Sequence, residues 1–296
     1  MNRFFPAALL GGLLCALPAR ACDICGGGVS NYNPYLFPQL SKSYIGLGYT
    51  HRSFRTKGEN GSWSRERYQT LLLTGQYRLG RRLQLLGLLP WQHNALEQGE
   101  ARRQVAGLGD LSLLAQYRLL DRPNDKGIRH TFLAGGGLKL ATGRFVPAGS
   151  GKAEDQNLQL GSGSTDFLLN ASYRLSVRKW LFVLTGSYKY NTVNSDGFRF
   201  GDIGTGGVMV AYRKEWKKFS VAPYVQAGHE FQYQDAERQV LQAHSGGSFW
   251  YTGGGFDINT RAITVGINCQ WAPLQELAGG AIKVLPRAGV QASFSF

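Results

Sequence analysis

Two thiols lie three positions apart near the start of the chain, in the run Cys22-Asp23-Ile24-Cys25-Gly26-Gly27-Gly28. Cys22 and Cys25 could hold one soft metal ion, copper or zinc, or cycle between dithiol and disulfide. A closed zinc site takes four ligands, and the sequence has no second CxxC and no HxxxH to complete one. In an oxidising compartment a plain local disulfide uses the same two residues. His51-Arg52-Ser53 offers different chemistry. A step of two on a strand puts imidazole and hydroxyl on one face, where the His could activate the Ser as a nucleophile. A third set is ionic. Asp110 and Asp166 each precede an arginine by eight residues, Arg118 and Arg174, and an even step keeps each pair on one side of a strand. Lys139, Lys189, Lys283 and Arg287 take the same side by parity with their apolar neighbours. Stacked acidic and basic tiers inside a pore select a solute. The same charges paired across a narrow barrel fill it instead.

These ionic residues need strands to position them, and the composition favours strands. Of 296 residues, 40 are Gly, roughly twice the usual frequency of about 7%. Tyr and Phe number 14 and 16 while Met numbers only 2, a mixture suited to aromatic-rich strands and turns rather than helix interiors. The one long apolar run opens the chain. Arg3 gives a positive start, Phe4 to Leu17 an apolar stretch, and Ala19-Arg20-Ala21 a small-x-small cleavage site, so residues 1–21 read as a signal peptide ending before Cys22. The run is too short to span a bilayer as a helix. Without Arg3 and Arg20 the mature chain keeps 31 basic and 19 acidic residues, net +12. That charge could serve nucleic acid, but no nucleic-acid motif is present and an exported protein does not meet any. Lys and Arg facing lipopolysaccharide phosphates, the periplasm and a polar lumen account for it.

From Ser41 onward the sequence alternates with period two. Leu111, Leu113, Ala115, Tyr117 and Leu119 share one face, opposed by Asp110, Ser112, Gln116 and Arg118. Phe167, Leu169, Ala171, Tyr173 and Leu175 repeat the pattern against Asp166, Asn170, Ser172 and Arg174. Strands of about ten to fifteen residues exceed the soluble mode of about five or six and match a tilted membrane span. Aromatic residues end the apolar faces (Tyr117, Tyr173, Trp180, Tyr188, Tyr212, Trp271), as interface girdles require. Twelve strands are expected, over 43–55, 64–78, 82–93, 104–118, 128–141, 158–174, 180–192, 198–213, 219–234, 247–259, 261–272 and 281–296. An even count closes an antiparallel barrel with both termini in the periplasm, and closure removes edges whose unpaired backbone groups cost several kcal/mol each in hydrocarbon. Tyr-Arg pairs (Tyr77-Arg78, Tyr117-Arg118, Tyr173-Arg174, Tyr212-Arg213) end the downward strands, Tyr toward lipid and Arg toward the lumen mouth. Pro223 and Pro286 fall inside strands and predict breaks or bulges, and Cys269 falls on the lipid side.

The last strand alternates Val290, Ala292, Phe294 and Phe296, and its terminal aromatic resembles the signal by which the barrel assembly machinery recognises its clients. Gly107-Leu108-Gly109-Asp110 leading to Tyr117-Arg118-Leu119, then Thr142-Gly143 and Gly161-Ser162-Gly163-Ser164-Thr165-Asp166, resemble the outer-membrane transporter family named for meta-pathway phenol degradation. The resemblance covers roughly residues 43–296, with Ala141 where that family usually has Pro before Thr-Gly. The opening Cys22-Asp23-Ile24-Cys25-Gly26 is similar to a subgroup of such barrels. The resemblance implies a single-chain barrel that admits hydrophobic or aromatic compounds. His51-Arg52-Ser53 resembles the active pair of outer-membrane lipid hydrolases, though Phe54 stands where those enzymes usually have Asn, and no clear third member appears.

The sequence therefore predicts an all-β protein: a signal peptide at 1–21, a CxxC and aromatic segment at 22–42 that lies in the periplasm or plugs the lumen, and a closed barrel of about twelve strands at 43–296. The expected function is a channel or transporter for a small hydrophobic or aromatic solute, without catalysis. Its pathway would be lined by Asp110, Arg118, Lys139, Asp166, Arg174, Lys189 and Arg287. The alternatives are a barrel that anchors a metal-handling or interacting Cys22/Cys25 segment, and a lipid hydrolase. The expected partners are the bilayer, lipopolysaccharide, the assembly machinery through Phe296, and the solute.

Overall fold

The computed structural model describes residues 42–58, 61–125, 127–147 and 156–296. Twelve antiparallel strands form one closed barrel. They are β1 (Tyr44–Lys57), β2 (Trp63–Leu79), β3 (Leu83–Gln98), β4 in two pieces (Ala101–Leu108 and Ser112–Pro123), β5 (Ile128–Lys139) and β6 (Asp166–Val177). The second half comprises β7 (Trp180–Tyr190), β8 (Ile203–Tyr212), β9 (Ser220–Gln232), β10 (Gly247–Asn259), β11 (Ile263–Leu277) and β12 in two pieces (Ile282–Val284 and Arg287–Ser295). Each strand pairs with its sequence neighbours, and β12 returns to β1 through the register Tyr44↔Ser295 to His51↔Ala288. No edge is left in the wall, which is the condition for strands to cross hydrocarbon.

The exterior is apolar for the reason the alternation anticipated. On β4 the odd positions Leu113, Tyr117 and Leu119 point outward and are about half exposed, while Ser112, Gln116 and Arg118 point into the lumen and are buried. Val290, Phe294 and Phe296 face outward on β12, and Phe296 donates its backbone N–H to the Ser43 carbonyl at 3.0 Å. Cys269 is exposed on the outer face of β11. Among the described residues no helix is long and apolar enough to cross a membrane. Connections at one end are mostly short, such as residues 80–82, 178–179 and 260–262, and those at the other are mostly longer, the extreme being residues 140–165, with residues 99–100 a tight turn among them. That asymmetry puts the short turns on the periplasmic side.

Pro223 and Pro286 each mark an interrupted ladder. The β8–β9 pairing runs from Ile203↔Gln232 to Ala211↔Tyr224 and resumes at Lys214↔Val221, with Pro223 in the gap. At Pro286, β12 breaks between Val284 and Arg287. This second break corrects one expectation. Lys283 is exposed on the outside while Ile282 and Val284 point inward, because the break changes the parity between Lys283 and Arg287. Two strand spans are also shorter than expected. Residues 158–165 belong to a loop rather than to β6, and Phe198–Arg199 pairs with Ala236–Glu237 in a small separate sheet before β8 begins at Ile203. Inward glycine lets neighbouring strands lie close together. A Cβ on Gly137 would stand 2.0 Å from the Leu113 carbonyl oxygen, so β4 and β5 approach there only because that position is glycine.

Candidate functional site

Three separate stretches meet at one point high on the inner wall: Asp110 in the break between the two pieces of β4, Lys139 at the end of β5, and Asp166 at the start of β6. The Lys139 Nζ lies 2.8 Å from Asp110 Oδ2 and 2.7 Å from Asp166 Oδ2, and all three side chains are buried. Each carboxylate also holds backbone. Asp110 accepts the Gly143 N–H at Oδ1 and the Ser162 N–H at Oδ2, both at 2.9 Å. Asp166 Oδ1 accepts the Thr192 N–H at 2.9 Å and the Ser164 hydroxyl at 2.9 Å. The Ser162 hydroxyl donates to Asp110 Oδ2 at 2.9 Å and lies against the Lys139 ammonium. The Thr142 hydroxyl accepts the Leu111 N–H at 2.9 Å. Gly161 is needed in this knot, because a Cβ there would come 2.6 Å from the Gly143 carbonyl oxygen.

The knot ties both ends of the 140–165 connection to the wall. Between them, Leu158 and Leu160 are buried against the inner face of β3 and β4. Asn94 donates to the Leu158 carbonyl at 3.4 Å, and Leu160 packs beside Gly107 and Gly109. The Gln159 side chain exchanges two hydrogen bonds with the Val146 backbone, at 3.0 and 2.8 Å. Described parts of the loop on the extracellular side thus occupy the upper lumen. Gly107 to Asp110, Thr142-Gly143 and Gly161 to Asp166 are strand starts by their spacing. In space they are the two ends of this latch and the wall that receives it. Ser162, Ser164 and Thr192 complete the knot; Ser164 bonds Asp166 two residues on within one motif, whereas the partners of Ser162 and Thr192 lie 52 and 26 positions away, too far for spacing to have marked them.

The other ionic residues expected in the lumen lie on several strands of the inner wall. Arg118 points inward near the periplasmic mouth, 3.1 Å from Asp121, and Asp121 also pairs with Arg129. Arg174 and Lys189 are inward and buried on β6 and β7. Arg287 pairs with Glu230 at 2.9 Å across to β9 and lies 4.6 Å from the Phe249 ring centroid. It borders an inward cluster of Phe54, Tyr68, Phe249, Leu277, Ile282 and Val284. Two more inward apolar patches lie elsewhere on the wall. Leu72, Leu86, Leu88 and Leu114 pack together with Leu168, and Leu181, Val183, Met209, Ala211, Ala222 and Tyr224 form the other. Asp257, on β10 near the periplasmic end, is completely buried, and its carboxylate lies across Gly266.

Cys22 and Cys25, with residues 22–41, lie outside the described residues, and among the described residues no His, Cys, Asp and Glu group could hold a metal ion. The His51 and Ser53 pair does meet, with Nε2 and Oγ 3.0 Å apart. Arg65 and Arg67 flank His51 where a carboxylate would be needed to steady an imidazolium, and Ser53 is buried.

No family model and no curated protein matches the sequence. Solved structures do match. The outer membrane channel from Pseudomonas putida F1 shares 19% identity at TM-score 0.62, over 86% of this chain and 96% of that one. The beta domain of the Bordetella autotransporter Brka shares 12% identity at TM-score 0.51, over 86% of this chain and 100% of that one. The chain therefore has the fold of an outer-membrane β-barrel. Within it, the described ends of the 140–165 connection are tied to the inner wall by one lysine and two aspartates.

Proposed function

We propose that the protein is an outer-membrane channel for a small solute with an apolar or aromatic part, of the kind implied by the resemblance to the meta-pathway phenol-degradation transporters. The supporting observation is the lumen wall. The leucine patch of Leu72, Leu86, Leu88 and Leu114 lies on the inside of the barrel, where a water-filled general pore has polar residues. An apolar solute gains about 25 cal/mol per Å² of apolar surface it removes from water on such a patch. Buried charges elsewhere on the same inner wall (Asp110, Lys139, Asp166, Arg174, Lys189 and Arg287) give it polar points beside the apolar ones. The similarity to a channel from Pseudomonas putida F1 over nearly that protein's whole length agrees with this reading.

The test is uptake of small aromatic compounds into liposomes carrying the purified barrel, beside Asp166→Ala. Removing Asp166 frees one end of the latch, so uptake should rise several-fold in the variant. A folded parent that admits no more solute than empty liposomes, with the variant unchanged, contradicts the proposal.

A further inference from the structure

Above the lipid-facing band, the outer face of β1 to β4 carries cations in register. Arg55 on β1 stands directly between Lys283 of β12 and Arg65 of β2. The same row continues through Glu97 on β3 to Arg102 on β4. Arg67, one outward position below Arg65, reaches Glu97, and Arg102 Nε lies 3.8 Å from that carboxylate. Two acids border this group, Glu97 on β3 and the exposed Glu276, which the Leu277↔Ile282 register sets beside Lys283, against Lys283, Arg55, Arg65, Arg67 and Arg102. Arg55, Arg65, Arg102 and Lys283 are exposed. Like charges directly opposed across strands repel one another. Glu276 and Glu97 stand at the two sides of the run, and Lys283, Arg55 and Arg65 remain side by side between them.

What lies below the row identifies what covers it. Six residues down the same strands are Tyr49, Leu71 and Trp91, outward-facing and exposed, with Leu108 beside Trp91. At about 3.3 Å per residue the separation is about 20 Å along tilted strands. One surface therefore presents an apolar band to acyl chains and, above it, cations at the height of the polar head and core. Arg55 is further braced by Trp63, with 5.9 Å between guanidinium carbon and ring centroid. Guanidinium groups bind phosphate oxygens through charge-assisted, often bidentate hydrogen bonds.

We propose that this face of β12 and β1 to β4 is a binding site for lipopolysaccharide, with Arg55, Arg65, Arg67, Arg102 and Lys283 on the phosphates of its lipid A and inner core. The bound phosphates remove the repulsion along the row, so the glycolipid stabilises the upper barrel. The site is external, and it holds whether or not the lumen conducts.

The full mature chain in detergent is titrated with hexa-acylated lipopolysaccharide bearing its inner-core phosphates, with the same molecule dephosphorylated, and with phosphatidylglycerol. Retention is read by native mass spectrometry. The phosphorylated form should bind at least about tenfold more tightly than either comparison. The triple variant Arg55→Gln/Arg65→Gln/Arg102→Gln should lose that margin while keeping the heat-modifiable mobility of a folded barrel. Lys214→Gln/Lys217→Gln/Lys218→Gln, which removes equal charge at the periplasmic end, should keep it. Equal binding of phosphorylated and dephosphorylated forms by the parent overturns the proposal and needs no variant to do so. Undiminished binding by the folded triple variant, or equal loss in the periplasmic variant, overturns it as well.

Discussion

At the scale of single residues, the latch rests on Lys139. Its ammonium is the cation shared by Asp110 and Asp166, two carboxylates that also hold Gly143, Ser162 and Thr192 by their backbones. Lys139→Met fills a similar volume and leaves both acids buried without it. Breaking a buried pair by removing one partner costs about 3–5 kcal/mol. The variant is expected to need less urea to unfold, and its 140–165 loop should become a protease target in the otherwise folded barrel. Unchanged protection of that loop would show that the knot does not hold it. The inward placement of Lys139, Asp110 and Asp166 was legible from parity alone. Their convergence was not, because it rests on the pairing register that sets Lys139 opposite Asp166 and beside the Asp110 end of β4, and alternation alone does not fix register.

At the scale of elements, the period-two rule worked because lipid on the outside and a lumen on the inside impose opposite demands on alternate side chains. It failed at residues 158–165 for an instructive reason. Leu158 and Leu160 alternate with Gln159 and Gly161 as a wall strand does, yet all four are buried, because this stretch is a loop lying inside the lumen against the inner wall. It also failed across Pro286, where a break carries Lys283 to the outside, although the proline itself signalled the break. The glycines divide by what faces them. Gly137→Val drives a side chain into the Leu113 carbonyl and should cost more than the usual ~1–3 kcal/mol of overpacking, so little heat-modifiable barrel should form. Gly75→Ala meets nothing within 4 Å and should assemble normally. Equal yields of folded barrel from the two variants would refute the close β4–β5 approach.

At the scale of the whole molecule, a closed ladder, an apolar exterior and inward charges were implied by the sequence, whereas the inward leucine patch was not. Nor was the partial filling of the upper lumen by the chain's own loop. That feature decides between a path narrowed by a latch and a solid plug, and electrical conductance separates the two directly. The purified barrel in a planar bilayer is compared with one in which residues 144–160 are replaced by a short Gly-Ser link, leaving Asp110, Lys139 and Asp166 in place. The channel account predicts discrete conductance steps from the parent and distinctly larger steps from the shortened chain. Two folded barrels that leave the bilayer silent, or that conduct alike, would contradict it.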